Sequence, residues 1–408
     1  MDFDPQWLLW LALGLGGGGF ALGWLASRLD AHQFRRERQE SPKVYYKGLN
    51  LLLNEQHDKA IDAFIEAVQQ DPDTSELHFA LGDLFRKRGE YERAVRVHQH
   101  LLGRADLSKA ERDQAQHGLA QDYMKAGLFD RAEEAYQALA GTSFDTEARL
   151  ALLDLHERSR DWRAAVAVAE QLEKSGSGSF ASRIAHYRCE LALEADASGQ
   201  RDVAEVELAA ARDAAPADAR PLVLSGEQAA ARADHDAALR WWNTLMAVRP
   251  AAFNLVARRY ATSARGSGDG NAALPRLQAL YDKAPTLDLL QAIAQLQPDD
   301  GMRRERLLAH LREHPSLGAA QALLSASTGD GGASAVSAAS AASTASASAG
   351  AALGAGEAAA VRDAVRRAAR PLHRYRCAAC GFEAEHYFWQ CPGCLGWDTY
   401  PPQRLEDL

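Results

Sequence analysis

An all-α chain built from repeated helix pairs is what the sequence predicts, and three observations predict it. Ala, Leu, Arg, Glu and Asp dominate a 408-residue chain that is 47% hydrophobic and 25% charged; most of these are good helix formers, and strand-rich runs of Val, Ile and Thr are scarce. The length exceeds one ordinary globular core, so several domains or a repeat array is expected. From about Ser41 onward, small and aromatic residues recur with a period of about 34, the length of one helix–turn–helix repeat. The formal net charge of −9 gives no general attraction to phosphate backbones, and no Lys/Arg face interleaved with aromatics overrides it locally. Nucleic acid is therefore not an expected partner.

The first element is apolar. Trp7 to Ala26 carry no charged side chain, and twenty helical residues at about 1.5 Å each span about 30 Å of hydrocarbon. Asp2 and Asp4 precede the run, and Arg28, Arg35, Arg36 and Arg38 follow it. The basic flank places the bulk of the chain in the cytoplasm and the short N-terminus in the periplasm. A cleaved signal peptide would carry a basic n-region and an A-x-A site, and neither is present. Residues 1–28 are thus expected to be a single-pass transmembrane anchor, about 7–26 in the bilayer, with 29–40 a basic juxtamembrane segment. Gly14, Gly16 and Gly19 match a dinucleotide fingerprint literally, but no strand precedes them. Gly14/Gly18 and Gly19/Gly23 have the GxxxG spacing that lets membrane helices approach closely.

Residues 41–324 form the array. In the first unit Gly48 is followed by Ala60, Phe64, Ala67 and Pro72, the small, small, aromatic, small and terminating residues of a tetratricopeptide helix pair. Gly82, Ala94, His98 and Leu101 repeat the pattern, and Ala120, Tyr123, Ala132, Tyr136 and Leu139 carry it on after a lengthened connection. Later units are placed by Ala165 and Leu172, by Ala204 and Ala211, by Gly226, Ala238, Trp242 and Leu245, and by Ala261, Ala273 and Leu277. Seven units are readable, and a degenerate eighth runs from Leu287 to His314, where Pro315 stops it. One pair cannot bury its own apolar face, so neighbours stack into a superhelix whose concave groove holds segments of other proteins. Trp241, Trp242, Tyr123 and Cys189 read as packing residues. His98, His100, His156 and His186 show no HExxH or paired metal spacing and read as surface or interface residues.

Residues 325–356 are almost pure Ala, Ser and Gly, which offers no apolar stripe and reads as a flexible linker. Residues 357–371 read as a short basic helix with Arg362, Arg366, Arg367 and Arg370 largely on one side, a solvated face.

The strongest local signal lies in residues 372–408. Cys377-x-x-Cys380 and Cys391-x-x-Cys394 are separated by ten residues, and two such turns facing each other present four sulfurs to one ion. A closed shell of four cysteines leaves no open coordination position for water or substrate, so hydrolytic metal catalysis is not expected. Thiolate coordination suits zinc and iron alike. So few residues cannot form an adequate core alone, so metal binding must supply much of the folding free energy. Cys189 stands apart, and clustered pairs in a chain without a cleavable signal indicate reduced thiols rather than a disulfide framework. No P-loop, GxSxG elbow or HExxH occurs, and no enzymatic activity is expected.

Together these segments resemble the lipopolysaccharide assembly protein B family. The likeness is carried by the anchor and its arginines, by Gly48 to Phe64 (GLNLLLNEQHDKAIDAF), Leu81 to Gln99, Asp122 to Tyr136 and Ala185 to Leu193, and above all by Tyr375 to Pro402 (YRCAACGFEAEHYFWQCPGCLGWDTYPP). The resemblance implies a rubredoxin-like C-terminal module with Cys377, Cys380, Cys391 and Cys394 as metal ligands, iron being the usual ion of the family and zinc left open. It implies an inner-membrane adaptor that regulates lipopolysaccharide supply by presenting the lipid A pathway deacetylase to a membrane-bound AAA+ zinc protease. A scaffold of lipopolysaccharide enzymes without a protease, and an iron-based electron-transfer protein, are the competing readings. One departure from familiar members is the Ala/Ser/Gly tract, which stands where they carry helical sequence.

Overall fold

Small residues recurring on one side of each helix let successive helices approach closely, and the array of antiparallel helix pairs follows from this. The computed structural model describes residues 47–48, 50–51, 53–54, 56–70, 74–297, 299–326 and 355–408. The apolar N-terminal segment, the basic stretch after it, Pro72 and nearly all of the Ala/Ser/Gly tract lie outside the described residues. Among the described residues no helix is long and apolar enough to cross a membrane.

The helices fall into two compact units that part between Ser177 and Gly178. The first contains α1 (His57–Gln70), α2 (Ser75–Arg88), α3 (Tyr91–Leu102), α4 (Lys109–Lys125), α5 (Phe129–Gln137), α6 (Asp145–Ser159) and α7 (Trp162–Lys174). Ala60, Phe64 and Ala67 of α1 pack on Leu77, Leu81 and Leu84 of α2, all buried. Helix ends follow local chemistry. Ser108 and Glu111 form a reciprocal capping box that starts α4, and Gly89, at φ +83°, ends α2 with its N–H on the carbonyl of Arg86.

The expected close approaches are present, each between residues sixteen apart. A Cβ on Gly48 would fall 2.9 Å from the Phe64 ring and one on Gly82 would fall 2.6 Å from the His98 ring. His98 is no surface residue. It fills the aromatic position of its pair, flanked by Gly82 and Gly118, with Nδ1 2.6 Å from Asp122 Oδ2. Arg86 donates to Asp122 Oδ1 at 2.7 Å and to the Gly118 carbonyl at 3.1 Å. The buried carboxylate is thereby paired, as burial of a charge requires. His156 and His186 are buried as well.

The second unit contains α8 (Ala181–Ala197), α9 (Arg201–Ala214), α10 (Ala219–Ala231), α11 (His235–Val248), a 3-10 helix (Pro250–Leu255), α12 (Ala257–Ser267), α13 (Gly270–Lys283), α14 (Leu287–Leu296) and α15 (Asp300–Glu313). Trp242 of α11 is fully buried with Phe253, Tyr260 and Leu277, and Gly226 leaves room for its indole. Cys189 is buried, its thiol pushed up to about 12 by desolvation. Tyr123 is buried too, and Trp241 is partly buried under the Arg212 guanidinium. The degenerate eighth unit is present as two helices, α14 and α15, with Leu287, Leu290 and Leu307 in one buried cluster.

Beyond it, α16 (Leu317–Ala326) packs on α17 (Ala355–Ala369), so the basic helix is the partner of a helix on the other side of the Ala/Ser/Gly tract. After a 3-10 turn (Arg370–His373), β1 (Tyr375–Arg376) and β2 (Glu383–Ala384) pair antiparallel, Tyr375 opposite Ala384. This hairpin makes the fold mostly helical rather than all-α.

Candidate metal centre and the face on which it sits

Two knuckles of matching geometry carry the four cysteines. In the first, Gly381 N donates to Cys377 O at 2.9 Å and Cys377 N to Phe382 O at 2.9 Å. In the second, Leu395 N donates to Cys391 O at 2.8 Å and Cys391 N to Gly396 O at 2.8 Å. Each chain reverses through a left-handed residue directly after its second cysteine, Gly381 at φ +77° and Leu395 at φ +58°. The repetition of one turn fourteen residues apart brings all four Sγ atoms within 4.8 Å of one another. Cys377 and Cys394 are 3.8 Å apart and Cys380 and Cys391 3.6 Å, against roughly 3.8 Å for the edge of a tetrahedron with sulfur about 2.3 Å from zinc. A disulfide needs about 2.05 Å, and all four are free thiols.

The electrostatics of the thiols agree with a cation site. Burial opposes ionisation of Cys377, but hydrogen bonds from Thr399 and from the N–H groups of Cys380 and Ala379 outweigh it and hold the thiol at about 6. Cys391 is also lowered, burial being outweighed by the Cys394 and Gly393 N–H groups. At Cys380 the Phe382 N–H favours the thiolate, yet burial and the three neighbouring sulfurs together push it up to about 12. Four sulfurs this close cannot all ionise without a positive charge among them, and a bound ion supplies it. Cys377 and Cys391 face inward and Cys380 and Cys394 outward. Tyr375, Tyr400 and the two inner cysteines form the small core, sealed on one side by Leu255 from the repeat helices.

The module does not stand free. His186 of α8 places Nε2 2.7 Å from Asp398 Oδ2 and stacks on Trp397 at 4.6 Å. Tyr187 meets the same indole edge-on at 6.1 Å. The buried Arg220 of α10 lies 5.5 Å from the Trp397 ring and 6.0 Å from Trp389, and its guanidinium is paired with Glu190 at 2.6 Å. At the opposite end the chain terminus forms a clasp. Arg404 grips Asp288 of α14 through Nε at 2.9 Å and Nη2 at 3.3 Å, and donates to the His373 carbonyl at 2.8 Å. Glu406 accepts from Gly318 N at 2.7 Å and Ser316 Oγ at 2.9 Å, and Asp407 accepts from Leu287 N at 3.0 Å. Both carboxylates cap helix N-termini, α16 and α14 respectively, where negative charge is favoured. Burial and the nearby Asp288 and Glu406 charges nevertheless push the Asp407 carboxyl up to about 6.

The expected cysteines are thus brought together. Sequence reasoning missed His186, Arg220 and the terminal clasp, although the Trp389, Trp397 and Asp398 cluster beside the second knuckle marked a face with unspent binding capacity.

Residues 375–401 match the rubredoxin metal binding domain, and residues 45–106 and 117–180 match the tetratricopeptide repeat. Among curated proteins, lipopolysaccharide assembly protein B of Escherichia coli K12 is 31% identical over 95% of this chain and 96% of its own. The protein of that name from Haemophilus influenzae is 26% identical over 95% of this chain and 96% of its own. Among solved structures, Naa15/Naa10 bound to HypK-THB aligns with a TM-score of 0.41 and 16% identity, covering 70% of this chain and 46% of that one.

Proposed function

This chain belongs to the lipopolysaccharide assembly protein B family, and from that premise we propose that it is an inner-membrane adaptor presenting the lipid A pathway deacetylase to a membrane-bound AAA+ protease. A role in regulating lipopolysaccharide assembly follows from the relatives' names and the repeats; the protease, the deacetylase and the single-pass anchor at residues 7–26, with the N-terminus periplasmic, are the finer reading. The observation that carries it is the near-full-length relationship, 95% of the chain, joined to a metal module seated on the repeats. Cys377, Cys380, Cys391 and Cys394 would hold one ion, iron or zinc. Bound there, the ion supplies the positive charge that lets four thiolates coexist, and its closed shell leaves no place for substrate. The chain's own residues then do the rest: the knuckles fix the hairpin, and Trp389, Trp397 and Arg404 lock it to helices that hold partner proteins.

Depleting the protein and following the half-life of the deacetylase tests the reading. A lengthened half-life is expected, and unchanged turnover would sink the adaptor reading. Growth on zinc in place of iron separates the structural role from electron transfer, since function survives the exchange only if the ion's redox state is irrelevant.

A further inference from the structure

Beside the docked module lies a polar cleft of about 370 Å³, between the 3-10 helix, α12, α14 and β1. That volume falls in the range of small-ligand sites, about 300–1,000 Å³. Three arginines, Arg258, Arg259 and Arg404, line it against a single carboxylate, Asp288, in a chain whose net charge is −9. Two of them are spoken for, since Arg404 holds Asp288 and Arg259 pairs with Glu227. Arg258 is exposed and has no acidic partner among the described residues. Asn254 has its amide oriented by Thr286 Oγ1, which donates to Oδ1 at 2.9 Å, so Nδ2 is the donor left to the cleft. Gln295, which also lines the cleft, has in Oε1 a buried acceptor with no hydrogen-bond partner. Such an acceptor costs about 1–3 kcal/mol until a donor reaches it.

A free guanidinium, a free amide donor and an orphaned acceptor in one small cleft select a ligand that carries an anion next to an N–H. We propose that this cleft binds the C-terminal carboxylate of a protein chain, Arg258 and Asn254 taking the carboxylate oxygens and Gln295 the terminal peptide N–H. The planar guanidinium fork matches a carboxylate in bidentate fashion. An inorganic or esterified phosphate would satisfy Arg258 but offers Gln295 no N–H, and the scarcity of apolar lining favours a small last residue. Tyr375 and Arg404 come from the metal module and the remaining lining residues from the repeats, so the seated module forms one wall of the cleft. The inference rests on the repeats being a protein-holding surface but not on any protease, so it stands or falls separately from deacetylase turnover.

The test uses the metal-loaded full chain and three probes, N-acetyl-trialanine with a free carboxylate, the same tripeptide as its C-terminal amide, and inorganic phosphate, followed by calorimetry or by NMR of side-chain amides. Binding of the free-acid peptide at millimolar concentration is expected, with about a tenfold loss or more for the amide and for Arg258→Ala, the fold-change of one charge-assisted pairing. Arg258 is exposed and outside the docking contacts, so the variant retains its fold, which far-ultraviolet circular dichroism verifies. Gln295→Leu, which removes the acceptor without adding charge, should weaken the peptide further than it weakens phosphate. Equal binding of acid and amide, phosphate binding more tightly than the peptide, no binding at 10-fold above about 1 mM, or an unaffected Arg258→Ala variant would each overturn the proposal.

Discussion

Helix α11 buries Trp242 and Leu245 completely, among a cluster that draws on α10, α12, α13 and α14, whereas the metal module buries little beyond Tyr375, Tyr400 and two of its own cysteines. The helices are ordered by apolar area shared among many neighbours, at roughly 25 cal/mol per Å², so the loss of one contact stays local. The module concentrates its order in four sulfurs and in a handful of polar contacts at two ends. Spread stabilisation tolerates change, and concentrated stabilisation fails at single residues. The largest expected effect lies there: Cys391→Ser, or removal of the ion by a strong chelator, should withdraw on the order of 10 kcal/mol from the module. Near-ultraviolet circular dichroism and the emission of Trp389 and Trp397 should collapse while the helical signal persists. A parallel loss of helix would break the contrast.

Next in size is the clasp. Arg404→Ala leaves Asp288 buried without its cation, which costs about 3 kcal/mol for a largely desolvated pair. Hydrogen exchange should quicken across residues 375–402 and hardly change across α2 to α7. For comparison within the repeats, Gly226→Ala drives a methyl group into the Trp242 indole and should cost about 2 kcal/mol by overpacking. Its exchange signature should be confined to α10, α11 and their immediate neighbours.

How much of this was legible in the sequence divides along the same line. The helix pairs and the cysteine knuckles are written in short-range spacing: Gly226 and Trp242 stand within one helix pair, and Cys377 and Cys380 one turn apart. Seating of the module is not, because His186 and Asp398 are 212 residues apart and nothing local marks them as partners. The repeat spacing places His98 at the aromatic position of its pair, but its partner is hidden for a related reason. Its buried carboxylate, Asp122, belongs to the following helix pair, and polar complementarity across pairs leaves no periodic trace. The partnership of α16 with α17 is likewise hidden by the tract that separates them.

The clasp also carries a proton dependence of its own. Asp407 titrates at about 6 in the folded chain against 3.8 for the free side chain, so the folded state binds more protons than the unfolded state between those values. Stability therefore falls as pH rises from about 4 to about 6 through this group, by about 1 kcal/mol once screening at a partly exposed site is allowed for. Asp407→Asn keeps an acceptor for Leu287 N and removes the titration. Clasp opening, read by exchange at residues 287 and 318, should depend on pH in the parent and lose that component in the variant, while α2 to α7 show no difference between the two.

The smallest effect tests the module's internal symmetry. Gly381 and Leu395 occupy equivalent left-handed positions after the second cysteine of each knuckle, but only glycine adopts that conformation without Cβ strain, which costs roughly 1 kcal/mol in other residues. Leu395 is largely exposed, so little packing is lost with its side chain. Leu395→Gly should therefore relieve the native strain and stabilise the second knuckle by about 0.5 kcal/mol, less than the full strain because glycine also loosens the unfolded chain. Slower release of the ion to a chelator would register the gain. Faster release would mean that Leu395 contributes contacts the first knuckle obtains elsewhere, and the two turns would then be alike in backbone only.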